Sequence, residues 1–399
     1  MLLLTLLPGI FLASFASSLA QGTLTPPGAP GPTMKTLSQL EPRVPISSAP
    51  YIITQPGSYY LTTNVTVNGA NGITITTNGV TLDLGGFTIS STATGGGGYG
   101  IYINTDLRNI TIANGFIQGG VTNNGSGVYS GNGFYYGIYC PLNRPVNTLL
   151  SHLSISGCLF YGIYLDFGDS TVVEACTVRT VGAYGIVAST IKQSSAMDCG
   201  GSAIYGDQVS DCRGQCTSGS SGVTGLVVQN CYGYSSSGTG LAAYSCAINC
   251  EGYSLNGAGL YAFTAENCFG YSTSSTAITG YTALNCFGNS AGSGAGINDT
   301  LAQNCYGMSG SGTAVNANVA QNCYGTCNSG YGIYAFNTAE NCTGYNNGSG
   351  YGIYTGYIAN GCFGYCNSGT GISAYIANIC HGASSSGTAL SATHNVNSF

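Results

Sequence analysis

The chain has 399 residues, including 64 Gly, 18 Cys and 30 Tyr, and only 5% of its residues are charged, where about 25% is usual for a globular domain. The net charge of −6 gives no support for a nucleic-acid partner or for attachment to an anionic membrane surface. The absence of a three-residue glycine period excludes collagen, and the 43% apolar content argues against disorder.

Residues 1–20 are predicted to be a signal peptide. The chain is apolar from residue 2 to residue 20, and residues 18–20 form a small-x-small cleavage pattern. An uncleaved membrane anchor is the alternative, but the run is short for a span and contains Pro8 and Gly9. Eighteen cysteines suit an oxidising compartment. We therefore expect a secreted or cell-surface protein with no membrane span after the signal is removed.

Residues 21–50 are predicted to be a linker. This segment is rich in proline, as in the run Pro-Pro-Gly-Ala-Pro-Gly-Pro at residues 26–32. Such a composition cannot pack a core and favours an extended, semi-rigid tether. The one plausible helix of the chain falls at residues 34–40.

Residues 51–395 are predicted to form a solenoid of β-strands. Between residues 51 and 213, short alternating segments at 72–76, 80–84 and 109–112 are separated by Gly and Asn, which indicates strands joined by turns. Residues 214–395 are more regular. Ten cysteines recur there or just before, at intervals of 18 to 20 residues: Cys212, Cys231, Cys250, Cys268, Cys286, Cys305, Cys323, Cys342, Cys362 and Cys380.

The repeat length decides between the kinds of solenoid. Each repeat has Gly two residues after its cysteine and an aliphatic residue ten or eleven after it, and it contains no helical pattern. Eighteen to twenty residues accommodate three short strands and three turns, which is one rung of a parallel β-helix. Rungs stack about 4.8 Å apart, so equivalent residues form columns. About sixteen rungs are expected along the chain.

Asparagine precedes the cysteine in seven repeats: Asn230, Asn249, Asn267, Asn285, Asn304, Asn322 and Asn341. A polar residue at a fixed place predicts a corner, because Asn tolerates the left-handed conformation. Charged residues such as Glu251 and Glu266 flank the cysteines, which predicts that the cysteines themselves face inward.

The ten repeated cysteines are interpreted as small buried apolar residues. Four others lie four residues from a repeated cysteine and are the better disulfide candidates: Cys216, Cys246, Cys327 and Cys366. A column of thiols cannot surround a tetrahedral ion, and only three histidines are present. No metal site and no cofactor are therefore predicted.

The segments at 56–61, 79–84 and 108–112, followed by the cysteine repeat, resemble secreted bacterial right-handed parallel β-helix repeat proteins of the pectin-lyase-like class. The resemblance implies an all-β right-handed parallel β-helix with rungs of 18–20 residues, and secretion. It does not imply one activity, because this fold supports many. Asn104-Thr105-Asp106 matches a tripeptide of polygalacturonase-like enzymes, but their other motifs are missing, and residues 214–399 contain no Lys or Arg.

The leading functional hypothesis is a non-catalytic, adhesin-like rod that binds a polysaccharide or a cell-surface component through outward aromatic rings. Rings at the spacing of the rungs can stack on sugar faces, although they can equally stabilise their own sheet. The predicted contact residues are Tyr232, Tyr234, Tyr253, Phe269, Tyr271, Phe287, Tyr306, Tyr324, Phe363 and Tyr365.

Two alternatives remain open. A polysaccharide lyase or hydrolase would have its site in residues 144–213, where charged groups concentrate, with Asp166, Asp169 and Arg179 as candidate catalytic residues. The same charges can also be solvated turn residues. A structural rod that assembles through its ends or a flat face is the third possibility.

Overall fold

The computed structural model describes residues 41–141, 145–166, 170–218 and 220–399. The predicted signal peptide, the helix expected at 34–40 and most of the predicted linker lie outside the described residues. Within these ranges the chain is all-β, and none of it forms a helix that could cross a membrane.

The strands before residue 214, numbered in chain order, are Val44–Ile46 (β1), Tyr51–Ile53 (β2), Gly57–Leu61 (β3), Val65–Val67 (β4), Ile73–Ile75 (β5), Val80–Asp83 (β6), Thr88–Ser91 (β7), Tyr99–Ile103 (β8), Arg108–Gln118 (β9), Gly120–Asn123 (β10), Tyr129–Asn132 (β11), Tyr136–Tyr139 (β12), Val146–Cys158 (β13), Tyr161–Tyr164 (β14), Thr171–Glu174 (β15), Thr177–Val181 (β16), Ile186–Val187 (β17), Thr190–Lys192 (β18), Ser195–Cys199 (β19), Ile204–Tyr205 (β20), Gln208–Ser210 (β21) and Arg213–Cys216 (β22). The strands that follow are Ser221–Gln229 (β23), Tyr232–Ser235 (β24), Thr239–Ile248 (β25), Glu251–Ser254 (β26), Leu260–Glu266 (β27), Phe269–Ser272 (β28), Ile278–Leu284 (β29), Phe287–Ser290 (β30), Ile297–Asn298 (β31), Leu301–Gln303 (β32), Tyr306–Ser309 (β33), Val315–Gln321 (β34), Tyr324–Cys327 (β35), Tyr331–Glu340 (β36), Thr343–Asn346 (β37), Tyr351–Thr355 (β38), Ile358–Asn360 (β39), Phe363–Cys366 (β40), Thr370–Asn378 (β41), His381–Ser384 (β42) and Thr388–Val396 (β43).

Apart from β10 and β11, the strands pair in parallel with their equivalents one rung away, and this confirms the predicted parallel β-helix. A rung has three faces in chain order. In one rung, for example, Leu260 lies on face one, Thr264 on face two and Phe269 on face three, and their partners in the next rung are Ile278, Thr282 and Phe287. This pairing places equivalent residues of successive rungs above one another on every face.

The solenoid has about 18 rungs rather than the sixteen expected. The first strand begins at Val44, inside the segment predicted as linker, and pairs with β3. Ile46 is buried there and Val44 is exposed. The two apolar residues flank a proline, so the short alternating pattern was hidden within a proline-rich composition.

The interior of each rung is narrow and filled by small or aliphatic side chains. Ile278, Ala283 and Cys286 are all buried at successive places of one rung. The thiol of Cys286 lies 3.2 Å from the carbonyl oxygen of Leu284 and 3.4 Å from that of Ala265, within reach for weak S–H donation. Such contacts give the buried thiol a partner among the backbone carbonyl groups.

All eighteen cysteines are free thiols, including the four disulfide candidates, so no disulfide crosses the rungs in this structure. Of the four candidates, Cys216, Cys327 and Cys366 are buried and Cys246 is half-buried. Burial raises the pKa of the Cys158 thiol to about 12 and that of Cys327 to about 11, because a thiolate is poorly solvated there.

Because only Cys246 is partly accessible, a thiol reagent added to the folded protein should react quickly with one thiol per chain. Because the thiolate is the reactive form, a small disulfide reagent should modify Cys246 in the folded protein and all eighteen thiols only after unfolding. A Cys246→Ser variant should lose the early equivalent. Early modification of several thiols would contradict the burial of the other seventeen.

The corner between faces two and three contains the seven predicted asparagines, each with a φ of 51° to 53°. Their side chains form a series of hydrogen bonds along the rod, in which the Nδ2 of one residue donates to the Oδ1 of the residue in the preceding rung. The series starts at Asp211 and runs to Asn322 over distances of 3.0 to 3.3 Å. The predicted left-handed corner is confirmed.

An antiparallel hairpin, β10 and β11, interrupts the solenoid in its less regular half. It is fixed by the carboxylate of Asp198, which accepts hydrogen bonds from Asn123 (2.6 Å), the Tyr129 hydroxyl (3.0 Å) and Thr180 (2.9 Å). Tyr129 also contacts the hydroxyl of Thr217 at 2.8 Å. The hairpin therefore lies against several later rungs at the far border of face three.

Candidate functional site

A groove with a volume of about 770 Å³ lies along the corner between faces two and three, where the less regular rungs meet the regular ones. Its lining residues belong to five successive rungs: Ala175, Cys176, Thr177, Gln193, Ser194, Ser195, Asp211, Cys212, Arg213, Asn230, Cys231, Tyr232, Asn249 and Glu251. A second depression of about 400 Å³ shares Ala175 and Thr177 with it, so the two are continuous.

The groove exists because the outward side chains change size along face three. The column of stacked residues passes from Ser154 through Thr177 and Ser195 to Arg213 and Tyr232. Three short side chains therefore leave a depression on the N-terminal side of the first ring. At the corner, Ala175 has the same left-handed conformation as the asparagines, with a φ of 52°, but lacks their amide.

Polar and aromatic groups meet at the end of the groove nearest the regular rungs. The Arg213 guanidinium lies over the Tyr232 ring, 5.0 Å from its centroid, a distance at which a cation is attracted to the ring face. Burial raises the pKa of Tyr232, and the positive charge of Arg213 opposes this shift. Asp211 accepts a hydrogen bond from Asn230 at 3.0 Å, and Glu251 is exposed one rung further.

The continuation of the groove towards the N-terminus is less charged. It is lined by His152, Ser154 and Phe116, with glycine at residues 86 and 115. His152 has a φ of 54° at the corner, and Phe116 is 47% exposed. The whole depression thus runs between one exposed ring and the stacked rings that begin at Tyr232.

The ten aromatic residues predicted as a contact surface all lie on face three, and we call them the aromatic ladder. Their rings form a nearly continuous series with adjacent centroids 4.6 to 5.9 Å apart, extended by Tyr345 and closed by His381 and Phe399. Phe287 and Tyr306 stack within 6° of parallel. Tyr234 is in the same outward register as Tyr253.

The rings of the ladder cover one another. Tyr306 and Tyr324 are 37% and 39% exposed, and the other eight predicted residues are half-buried. Much of each ring therefore stabilises its neighbour, as in other cross-strand aromatic pairs. The ring edges remain accessible to a ligand.

Of the three residues of the predicted catalytic alternative, Arg179 and Asp166 lie on different faces of the solenoid. Arg179 is exposed on face three in β16, next to the groove. Asp166 follows β14 of face one. Burial raises the pKa of the Cys140 thiol there to about 12, and the charges of Asp166 and Asp106 contribute less to this shift. Asp169 lies outside the described residues.

Two further aromatic groups were not singled out from the sequence. The first is on face one, where eight tyrosines are in ring contact over five rungs: Tyr99, Tyr102, Tyr136, Tyr139, Tyr161, Tyr164, Tyr184 and Tyr205. The repeated Tyr-Gly-Ile sequence at 99, 136, 161 and 184 was the available signal. The second lies at the corner between faces one and two and includes Tyr281, which is 58% exposed.

In the described ranges, no three His, Cys, Asp or Glu side chains are grouped so that they could hold a metal ion. What the groove offers is an aromatic ring packed against a guanidinium, two carboxylates and several amides within one open depression. These are the groups that bind polyhydroxylated ligands, since rings accept C–H faces and charged or amide groups fix hydroxyls.

No family model matches the sequence, and no curated protein matches it either. Similar solved structures include the enzymatically active domain of bacteriophage CBA120 tailspike protein 2 (12% identity, TM-score 0.28, covering 76% of this chain and 42% of that one). The Dettilon tailspike protein (13%, 0.29, 80% and 59%) and the A-module of the Azotobacter vinelandii mannuronan C-5 epimerase AlgE4 (10%, 0.27, 86% and 88%) are also similar.

The chain thus spans less than two thirds of either tailspike chain. At these identities and TM-scores, none of the three supports an inference about what this chain binds. The parallel β-helix rests on the chain's own strand pairing, and it agrees with the pectin-lyase-like architecture that the sequence resemblance implied.

Proposed function

We propose that the protein is a secreted or cell-surface rod that binds a polysaccharide chain in the groove and along the adjoining end of the aromatic ladder, without cleaving it. The observation that supports this most directly is the Arg213–Tyr232 contact at the end of the groove. A ring packed against a guanidinium, with carboxylates and amides beside it, provides both an apolar contact surface and the hydroxyl partners that a sugar needs.

The length of the depression favours a polymer over a small molecule. The groove crosses five rungs, or about 20 Å at the usual spacing between paired strands. It is open and polar, whereas sites for small ligands are usually closed and apolar. A polysaccharide lying along the rod would contact several rungs at once and combine many weak contacts.

Native gels containing single polysaccharides, neutral and acidic, test this proposal. A bound polysaccharide should retard the protein. Tyr232→Ser or Arg213→Gln should raise the apparent dissociation constant obtained from the retardation at least tenfold, because each removes a group at the groove end. Tyr331→Ser, which removes a ring from face one, should leave it unchanged.

Staining the same gels for glycan separates binding from catalysis. A cleared band would contradict the non-catalytic part of the proposal and favour the enzyme alternative in residues 144–213. If Tyr232→Ser, Tyr271→Ser and Phe287→Ser left all retardation intact, the aromatic ladder would be structural only. No retardation by any polysaccharide would overturn the proposal as a whole.

A further inference from the structure

The corner between faces one and two exposes one large side chain per rung over much of the regular half, and we call this feature the ridge. Six aromatic residues on it are 47% to 58% exposed, which is more than any ring of the aromatic ladder: Tyr244, Phe263, Tyr281, Phe336, Tyr357 and Tyr375. Tyr261 lies beside them and is 39% exposed. Exposed apolar side chains grouped on one side of a protein in this way mark an interaction site.

The order of residues along the ridge is symmetric. Three rungs with rings, ending at Tyr281, are followed by two rungs with exposed polar residues, Thr300 and Asn318, and then by three rungs with rings that start at Phe336. Backbone hydrogen bonds fix this order, because Thr300 N donates to Tyr281 O at 2.9 Å and Asn318 N donates to Thr300 O at 3.0 Å. Read in either direction, the pattern is ring, ring, ring, polar, polar, ring, ring, ring.

We propose that the ridge is an interface at which two copies of this chain pair side by side and antiparallel, related by a twofold axis between the rungs of Thr300 and Asn318. About that axis each ring rung of one copy faces a ring rung of its partner, and the polar rungs face each other. Tyr281 of each copy then meets Phe336 of the other. Such self-complementarity is the requirement of a twofold interface.

The available area is that of a stable dimer. An aromatic side chain has about 150–250 Å² of surface, so seven rings that are about half exposed offer about 700 Å² per copy. Stable protein pairs bury about 800 Å² per partner. Eight rungs at about 4.8 Å spacing give the contact a length of about 34 Å.

Charge favours the antiparallel order over the parallel one. Asp207 lies on the same corner, since its carbonyl oxygen accepts the amide of Leu226 in the next rung at 3.0 Å. A parallel pair would set the two Asp207 carboxylates opposite each other, which is unfavourable. In the antiparallel pair the two carboxylates lie at opposite ends of the contact.

Sedimentation velocity over a range of concentrations tests the pairing. The wild type should pass from monomer to a closed dimer, and Tyr281→Ser with Phe336→Ser should raise the dissociation constant at least tenfold. Tyr331→Ser with Tyr351→Ser removes two rings that are stacked 5.2 Å apart on face one and should leave the dimer intact. A wild type that stays monomeric, or that forms open-ended polymers, would overturn the proposal.

Cysteine cross-linking tests the order of the two chains and does not depend on removing rings. In a Cys246→Ser background, Thr300→Cys and Asn318→Cys change two exposed polar positions. A mixture of the two proteins should form disulfide-linked dimers faster than either protein alone. Faster cross-linking of each protein with itself would show a parallel pair and overturn the antiparallel arrangement.

Discussion

Replacing Asp299 with Asn is expected to raise the free energy of unfolding at pH 8 by up to about 4 kcal/mol. The side chain faces the interior, only 7% of its surface is exposed, and neither carboxyl oxygen has a hydrogen-bond partner of normal geometry. Burial raises the pKa of this carboxyl from 3.8 to about 7, with a smaller contribution from Cys305 and an opposing one from the backbone of Gly280. Each unit of that shift is worth about 1.4 kcal/mol.

The direction of the pH dependence follows from the two states. In the unfolded chain the carboxyl loses its proton near pH 3.8, whereas in the folded chain it keeps the proton until about pH 7. Between these values the folded state binds more protons, so the contribution of Asp299 to stability falls as the pH rises. Above about pH 7 the destabilisation by Asp299 has reached its full value, and below pH 3.8 Asp299 causes no destabilisation of this kind.

Urea unfolding of the wild type and the variant at pH 4, 6 and 8 measures this effect. The difference in stability between them should be small at pH 4 and largest at pH 8. Asp299→Ala provides a second comparison, because Ala262 and Ala317 occupy the same inward column, two rungs before and one rung after Asp299. If both variants followed the wild type at every pH, the carboxyl would have a partner that the structure does not show.

Asp299 also shows where the sequence repeat stops being informative. The inward column at this place otherwise contains Ala, Gly and one Thr, and Thr355 satisfies its hydroxyl by donating to the carbonyl of Asn337 at 3.0 Å. Asp is a common turn residue, so a single Asp beside a corner is normally interpreted as exposed. Only the register of the neighbouring rungs places its side chain inside.

The fold could be predicted because each rung repeats the same physical constraints. Asn at 230, 249 and 267 identified the left-handed corner, and the charged neighbours of the cysteines identified the inward positions. A period of 18 to 20 residues left a parallel β-helix as the consistent solution. The early strand at Val44 escaped, since one buried residue beside a proline gives no periodic signal.

The candidate site was predictable in part. The stacked register placed the aromatic residues on one outward face, and the structure agrees with that placement. The groove escaped because it arises from small residues, Ser154, Thr177 and Ser195, whose alignment depends on rungs of unequal length. A column of large residues is visible as a repeat in the sequence. A depression formed by small residues is visible only once the rungs are aligned in the structure.

The ridge escaped for a related reason. Its rings occupy the corner between faces one and two, where irregular pairing at Tyr244 and Phe336 shifts the spacing by one residue. A fixed offset from the cysteine therefore misses them. Their exposure follows from the sharp turn of the backbone at that corner, which the small inward residues at 262 and 335 permit.

Replacing Gly252 with Ala is expected to destabilise the protein by at least about 3 kcal/mol. Gly252 lies on face three and points inward, where a Cβ atom would stand 2.2 Å from the carbonyl oxygen of Gly259 and 3.0 Å from the Cβ of Leu260. That carbonyl already accepts the amide of Leu241 at 3.0 Å. Overpacking a well-packed interior costs about 1–3 kcal/mol and occasionally more, and the clash here is with a hydrogen-bonded backbone carbonyl rather than with a side chain that could rotate away.

The neighbouring rungs cannot absorb the displacement. A Cβ at Gly233 would stand 2.2 Å from Gly240 O, and one at Gly270 would stand 2.3 Å from Ala277 O, so the same close contact is repeated above and below. Thermal unfolding of Gly252→Ala beside Glu251→Ala measures the effect. Glu251 is the adjacent, exposed residue, so its replacement should change stability by no more than about 0.5 kcal/mol. Equal melting temperatures for the two variants would mean that faces one and three are further apart than the structure shows. The inward glycines of face three would then not be needed for the close approach of these two faces.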